Sequence, residues 1–136
     1  KRNLITSHKL NIMANYSDFN EKYRIRTKKF AVSVIRFYAK YCKQGDELKI
    51  IGKQLLRSGT SVAANFRAFS RGRSEQEKFS KLCIVVEEAD ESQFWLELIE
   101  EAELLYPNQI VEIKSEIDEL LKVFTTTKNN FKNSKN

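Results

Sequence analysis

The sequence predicts an all-α protein, an antiparallel up-down-up-down four-helix bundle. The chain of 136 residues contains only four glycines and one proline, so it has few turns. Four segments carry apolar residues at spacings of three, four or seven, which is the pattern of an amphipathic helix. Because the predicted loops between these segments are short, consecutive helices should lie antiparallel.

The first predicted helix begins at Asp18, which can form a capping box with Glu21. Gly45 suits the left-handed conformation that ends a helix, and Asp46 directly after it can cap the next helix. The first loop should therefore be very short. The apolar stripe of this helix consists of Tyr23, Phe30, Val34, Phe37 and Tyr41.

The second predicted helix has a gap in its apolar stripe at Ser58 and Gly59. A glycine inside a helix costs about 1 kcal/mol relative to alanine, so we expect a neighbouring backbone or a large side chain to approach here. Ala63 extends this shallow groove, and we assign Ser58, Gly59 and Ala63 to close helix packing. The stripe itself consists of Leu48, Ile51, Leu55, Val62, Phe66 and Phe69.

The third predicted helix follows Gly72 and starts with a capping box of Ser74 and Glu77. Phe94 and Trp95 are adjacent in this helix, so both cannot face one core. Trp95 on an outer face would suit a subunit interface, and base stacking is the alternative. The apolar stripe consists of Phe79, Leu82, Val86, Ala89, Leu96 and Ile99.

The fourth predicted helix begins near Pro107, because the residue before a proline is pushed out of the helical region while proline is tolerated in a first turn. Its stripe consists of Ile110, Ile113, Ile117, Leu120 and Phe124. These boundaries predict an N-terminal tail at residues 1–17, a bundle domain at residues 18–126 and a polar, frayed C-terminal tail at residues 127–136.

Residues that carry catalysis are scarce in this sequence. His8 is the only histidine and lies in the predicted tail, so a serine or cysteine nucleophile has no evident general base. The acidic segment EEADES at residues 87–92 lacks the histidines that bundle metal sites use. The segment RSGTS does not match a phosphate-binding loop. We expect no enzyme activity, no catalytic residue, no metal, no cofactor and no small-molecule substrate.

The two cysteines, Cys42 and Cys83, lie within apolar periodic segments, so we expect both to be buried, reduced thiols. No run of about 18 uncharged apolar residues is present, which a membrane-spanning helix would need. The N-terminal residues lack the apolar core of a signal peptide. We therefore expect a cytoplasmic protein that does not bind membranes.

The net charge of +6 is distributed unevenly along the chain. Residues 1–45 contain 11 basic and 2 acidic residues, a balance of +9, whereas residues 82–136 contain 5 and 12, a balance of −7. Residues 46–81 have a balance of +4, from 8 basic and 4 acidic residues. A basic first half can bind phosphates or the acidic half of a neighbouring copy, and charge alone does not choose.

The arginines around Gly72 are the best candidates for a specific contact, because guanidinium groups match both carboxylate and phosphate geometry. The candidate nucleic-acid contacts are Arg57, Arg67, Arg71, Arg73, Lys78 and Lys81. The alternative is pairing, within or between subunits, with an acidic stripe on the third helix. That stripe consists of Glu87, Glu88, Asp90 and Glu91, and the candidate interface adds Trp95.

The segments QLLRSGTSVAANFR and SRGRSEQEKFSKLCIVVEEADESQFWLELI resemble the bacterial four-helix-bundle family of 23S rRNA intervening-sequence proteins, often labelled ribosomal proteins. The resemblance runs from about Lys28 to Leu121. It implies an antiparallel bundle that assembles into a homopentamer, with a basic surface suited to RNA or DNA. Many members carry a glutamate where this chain has Ala68.

Overall fold

Four helices make up the part of the chain that the computed structural model describes, which is the backbone of residues 2–134 and the side chains of residues 15–131. In chain order they are α1 (Arg2–Tyr41), α2 (Asp46–Ser70), α3 (Glu75–Glu101) and α4 (Pro107–Ser134). No strand occurs among residues 2–134. The predicted all-α, four-helix fold class is confirmed.

The helices pack in a cycle in which α1 contacts α2 and α4, and α3 contacts α2 and α4. Within residues 2–134, the backbones of α1 and α3 do not approach each other, so the two helices occupy opposite corners of the bundle. Neighbouring helices run antiparallel. Along α1 and α2, Gly59 lies beside Val34 and Gly52 lies beside Cys42, so the residue numbers change in opposite directions.

The core is a continuous apolar cluster that extends along all four helices. The stripe predicted for α4 is buried at every position, and the stripe predicted for α2 is buried except at Ile51, which is partly buried. On α3 the predicted Val86 is partly buried and packs against the core, whereas Val85, which the prediction omitted, is fully buried. Ser92 completes the buried face of α3, where the stripe had no apolar residue.

The gap in the stripe of α2 is a point of close approach between α1 and α2. A Cβ atom added to Gly59 would lie 2.8 Å from Cγ2 of Val34, so α1 occupies the space that a larger residue would need. The Ser92 hydroxyl donates to the carbonyl of Glu88 (2.8 Å), and the hydroxyls of Ser58 and Ser92 are hydrogen-bonded to each other (2.8 Å) across the α2–α3 contact. The expected close approach at Gly59 is present.

The turns follow the sequence signals with one shift. Gly45 has a φ of 91° and precedes α2, while Asp46 is the first residue of that helix rather than its cap. The Ser74 hydroxyl caps α3 by accepting the backbone N–H of Glu77 at 3.1 Å. Pro107 is the first residue of α4. The positive φ at Gly45 keeps the loop before α2 short, and the side-chain cap at Ser74 keeps the loop before α3 short.

The predicted start of the first helix at Asp18 is wrong, because α1 begins at Arg2. Residues 2–17 contain neither proline nor glycine, so nothing in that segment breaks the helical backbone. Asp18 and Glu21 are exposed residues within α1 and form no capping box. His8 lies outside the described side chains.

The prediction that residues 127–136 are frayed is also wrong for residues 127–134, which continue α4. Phe131 lies seven residues after Phe124 and extends the apolar stripe by two helical turns. Its ring stacks on Phe79 at 5.7 Å and meets the edge of Phe69 at 6.4 Å. These contacts hold the last turns of α4 against α2 and α3.

The two cysteines differ in burial. Cys42 is fully buried beside Gly52, and burial raises the pKa of its thiol to about 11. Cys83 is only partly buried, so the prediction of two buried thiols is wrong for Cys83. It lies on α3, about one helical turn before Glu87 at the start of the acidic stripe.

Candidate nucleic-acid interface

Arg57 pairs with the acidic stripe of its own chain. Its guanidinium donates to Oε1 of Glu91 at 2.6 Å and to Oε2 of Glu88 at 3.3 Å. The indole Nε1–H of Trp95 donates to the same oxygen of Glu91 at 3.3 Å. Of the two alternatives that the sequence left open for Arg57, the structure shows the pairing with the third helix.

The electrostatics of this pairing are unequal on its two sides. The hydrogen bond to Glu91 raises the pKa of Arg57, which keeps its charge at every accessible pH. Burial raises the pKa of Glu88 despite the arginine beside it, because the Glu88 side chain is only 16% exposed. Arg57 itself is 53% exposed, so water competes with these contacts.

Arg26 is a second internally paired arginine, on the contact between α1 and α4. It forms a bidentate pair with Glu116 at 2.7 and 3.0 Å, and its Nη2 lies 3.0 Å from Glu119. These hydrogen bonds raise the pKa of Arg26. The acidic residues of α4 therefore fix Arg26 in the bundle.

Arg67, in contrast, faces a groove whose other charged residues are also basic. The groove has a volume of about 210 Å³ and lies between α1 and α2, with Ala63 and Ala64 at its floor and Arg24, Lys28 and Arg67 around it. The three basic residues are exposed, and none forms an ion pair among residues 15–131. Ala63, predicted as a close-packing residue, is partly buried and leaves this groove open.

The basic surface continues from the groove along the outer face of α1. Lys29 and Arg36 lie on this face with Arg24 and Lys28. No carboxylate lines the groove or this face of α1, whereas Arg36 also borders a cleft that contains Glu112 and Glu116. We call Arg24, Lys28, Lys29, Arg36 and Arg67 the basic strip. From Arg24 to Arg36 it extends about 18 Å along the helix.

Arg71 and Lys78 lie elsewhere, in a cleft of about 1010 Å³ at the end of the bundle where α2 ends and α3 begins. Arg73 is exposed in the turn before α3, and Lys81 is partly buried on α3. Neither of these two lines the strip or the end cleft. The six predicted basic contacts therefore do not form one patch.

The acidic stripe lies on α3, at the opposite corner of the bundle from the basic strip on α1. Glu87 and Asp90 are exposed there, whereas Glu88 and Glu91 hold Arg57. Phe94 is 47% exposed beside them, and Trp95 packs partly buried against the core. The outward-facing aromatic residue is thus Phe94 rather than Trp95.

The sequence analysis missed most of the basic strip, because it considered the charges of α1 only as a net balance. The signal was present in the spacing. Arg24, Lys28 and Arg36 recur at intervals of four and eight, and all three lie outside the buried stripe of α1. Ile25 (47% exposed) and Val32 (39% exposed) place apolar side chains on the outward face of α1.

Two other classes of site find no support in the described residues. Among them, no group of three or more His, Cys, Asp and Glu side chains is arranged to hold a metal ion. Within the same part of the chain, none of the helices has the length and apolarity needed to cross a membrane.

Comparison with known proteins places this bundle in a family. The profile of the 23S rRNA-intervening sequence proteins matches residues 21–126. The chain belongs to the 23S rRNA-intervening sequence protein family. The matched range includes the basic strip, the end of α2 and the whole acidic stripe.

A crystal structure of another family member has the same fold. It is a protein of unknown function from the S23 ribosomal protein family of Bacteroides thetaiotaomicron VPI-5482. It is 29% identical in sequence with a TM-score of 0.72, and the match covers 81% of this chain and 97% of that chain. No protein of curated function matches this 23S rRNA-intervening sequence protein.

Proposed function

We propose that this protein is a non-enzymatic nucleic-acid-binding protein of the cytoplasm that contacts phosphate groups through its basic strip. The observation that carries the proposal is the groove formed by Arg24, Lys28 and Arg67 over Ala63 and Ala64. Three exposed cations surround a floor of small side chains, with no carboxylate in the lining. Such a groove admits an anion to direct contact with arginine.

The strip differs from Arg26 and Arg57 in forming no ion pair among residues 15–131. Arg26 and Arg57 are neutralised by glutamates of α4 and α3, whereas no basic residue of the strip has such a partner. Its length of about 18 Å corresponds to about five phosphates along one strand of a duplex. Release of counterions from those phosphates would supply most of the binding free energy.

The proposal is tested by fluorescence anisotropy with a structured RNA and a duplex DNA between about 50 and 200 mM salt. We expect binding to at least one of them, with an affinity that falls steeply as salt rises. The variant Arg24→Ala/Lys28→Ala/Arg67→Ala should weaken binding about 100-fold and lower the salt slope by 2 to 3, roughly one for each phosphate that the variant no longer neutralises.

A matched control removes the same charge elsewhere. Lys43, Lys49 and Lys53 are exposed lysines outside the basic strip, and replacing all three by alanine lowers the net charge equally. This control should retain most of the affinity. Absence of binding at about 50 mM salt, or equal losses in the two triple variants, would contradict the proposal.

A second candidate function is self-association, in which the basic strip of one copy meets the acidic stripe of the next. The two surfaces lie at opposite corners of the bundle, and each contains exposed apolar side chains, Ile25 and Val32 on one and Phe94 on the other. Contacts between different surfaces of identical subunits form rings when the rotation between subunits closes, and open filaments when it does not. A homopentamer, which the family resemblance implies, is one such ring.

Charge reversal on the acidic stripe separates the two candidates. If the second is correct, light scattering of the wild type at micromolar concentration shows an oligomer, and Glu87→Lys/Asp90→Lys dissociates it. Mixing that variant with Lys28→Glu/Lys29→Glu should restore assembly. A wild-type monomer refutes self-association, and nucleic-acid binding that survives in the Glu87→Lys/Asp90→Lys monomer assigns the strip to nucleic acid.

A further inference from the structure

The end cleft is a large concavity that shares only Arg24 with the basic strip. It opens where α2 passes into α3, between the first described side chains of α1 and the last turns of α4. Tyr16, Asn20 and Phe131 form part of its wall. Its volume of about 1010 Å³ is in the range of sites that enclose small organic molecules.

The charged groups of the cleft are three cations and two carboxylates that do not neutralise one another. Arg24, Arg71 and Lys78 line it together with Glu21 and Glu75, and these five residues form no ion pair among residues 15–131. A ligand that carries both an anionic group and hydrogen-bond donors would use both kinds of side chain. A bare anion would use only the cations.

Lys78 is held at this site by packing. Its ammonium nitrogen lies 5.1 Å from the centre of the Tyr16 ring. Its Cγ lies within 2.5 Å of the position that a Cβ on Gly72 would occupy, so the absence of a side chain at Gly72 lets the lysine stem lie close to the turn. The cation is therefore directed over the wall of the cleft.

Two polar atoms of the wall are unsatisfied. The Tyr16 hydroxyl and the Asn20 carboxamide oxygen are shielded from solvent, and neither has a hydrogen-bond partner in the described structure. Burying such groups without a partner is unfavourable, and because both atoms are shielded from solvent, a ligand contacts them only if the wall of the cleft opens. Phe131 and the Tyr16 ring add apolar surface to the wall of the cleft beside Lys78.

We infer that the end cleft binds the phosphorylated terminal nucleotide of an RNA strand. The phosphate monoester would lie against Arg71 and Lys78, and the ribose hydroxyls would donate to Glu21 or Glu75. Arg24 lines both this cleft and the groove of the basic strip, so one strand can extend from one to the other. The inference rests on the proposed function, and a free nucleotide is the other source of the same chemistry.

The test compares a short single-stranded RNA bearing a terminal phosphate, at the 5′ or the 3′ end, with the same RNA ending in hydroxyls. We expect one of the two phosphorylated strands to bind the wild-type protein about tenfold more tightly than the hydroxyl-ended strand. The reason is that the terminal monoester carries a charge of about −1.5 to −2, which the hydroxyl end lacks. Lys78→Ala should abolish this preference, and it should weaken the binding of the hydroxyl-ended RNA no more than Lys81→Ala does.

Lys81→Ala is the matched control, since Lys81 lies one helical turn from Lys78 and outside the cleft. It should keep the preference. Tyr16→Phe should weaken the binding of the phosphorylated RNA without lowering the free energy of unfolding. A purely structural role of the hydroxyl would not produce this combination. Adenosine monophosphate that binds the wild type, and not the Lys78→Ala variant, would support the cleft with a free nucleotide as its ligand.

The failures of the two proposals are distinguishable. Equal affinity for phosphorylated and hydroxyl-ended RNA, with no binding of the mononucleotide, would overturn the end-cleft inference and leave the basic strip as a nucleic-acid interface. Absence of binding by every strand would overturn the proposed function. The inference is also overturned if Lys81→Ala removes the terminal preference as fully as Lys78→Ala.

Discussion

Residues 55–82 contribute both to the centre of the bundle and to its open end, where the end cleft lies. Glycine and arginine occur in both regions, but their surroundings differ. At the centre, Gly59 lets α1 approach and Arg57 is held by glutamates of α3. Towards the open end, Arg67 and Arg71 have no acidic partner among residues 15–131. The composition of the facing helix, rather than the arginine itself, decides which arginines are structural.

The difference follows from the position of each arginine along α2. Arg57 faces the part of α3 that contains the acidic stripe. Arg67 lies nearly three turns further along and meets Arg24 and Lys28 of α1 across the groove. Like charges that share a groove repel one another, so an external anion stabilises them. We expect mutations at the centre to change stability and mutations at the end to change binding.

The largest expected effect is at Gly59. Gly59→Leu should lower the free energy of unfolding by about 3 kcal/mol, because even its Cβ would lie 2.8 Å from the branched and conformationally restricted side chain of Val34. Urea denaturation measures the change. Gln54→Leu, at an exposed position of α2, is the control and should change stability by less than about 0.5 kcal/mol.

A second substitution shows whether crowding is the cause. Val34→Ala alone leaves a cavity, but combined with Gly59→Leu it should recover part of the lost stability, so that the two effects are not additive. Additive losses, or a Gly59→Leu protein as stable as the wild type, would mean that α1 and α2 are not in close contact at this position.

A smaller effect distinguishes two arginines of α1 that lie two residues apart. Arg26→Ala should lower the free energy of unfolding by about 1 kcal/mol, because it removes three charged hydrogen bonds or ion contacts at a side chain that is 22% exposed. Arg24→Ala should leave stability unchanged within about 0.5 kcal/mol and weaken nucleic-acid binding. Equal effects of the two substitutions on both measurements would remove the distinction between paired and unpaired arginines.

Arg57→Ala should have a still smaller effect on stability, about 0.5 kcal/mol, because the guanidinium is half exposed and its contacts are weakened by water and salt. The decrease measured by urea denaturation should be larger at low salt than at high salt. Nucleic-acid affinity should not change. A loss of affinity equal to that of Arg67→Ala would place Arg57 among the binding residues.

The sequence predicted those parts of the molecule that depend on one helix at a time. The buried stripe of α4, the cap at Ser74 and the start of α4 at Pro107 each follow from spacing or from local backbone chemistry. Even the close approach at Gly59 was predictable, because a glycine in a helix is costly without a packing reason. Val85 and Val86 are adjacent and equally apolar, so spacing could not choose between them.

The candidate sites were harder to predict because they require residues from several helices. Tyr16 and Phe131, which form opposite parts of the end cleft, both come from segments that the sequence indicated as tails. Arg24 and Lys28 of α1 meet Arg67 of α2 only because α1 and α2 are antiparallel and in register at this point. The pattern of residues within a single helix does not determine how α1 is aligned with α2.

The smallest effect concerns Glu88 and tests why the central pair exists. Burial raises the pKa of Glu88 in the folded protein, so the folded state favours the protonated carboxyl more than the unfolded chain does. That contribution to stability is complete below the ordinary glutamate pKa of about 4.3 and is lost as the pH rises through the higher folded value.

The variant Glu88→Gln has no carboxyl group at this position, so it lacks this titration. Relative to the wild type, the variant should therefore become more stable from about pH 4 to pH 7 in urea denaturation. If the attraction of Arg57 outweighed burial, the folded pKa would be lowered and the same comparison would change in the opposite direction. The direction of the change thus decides whether Glu88 is held at the centre by its charge or in spite of it.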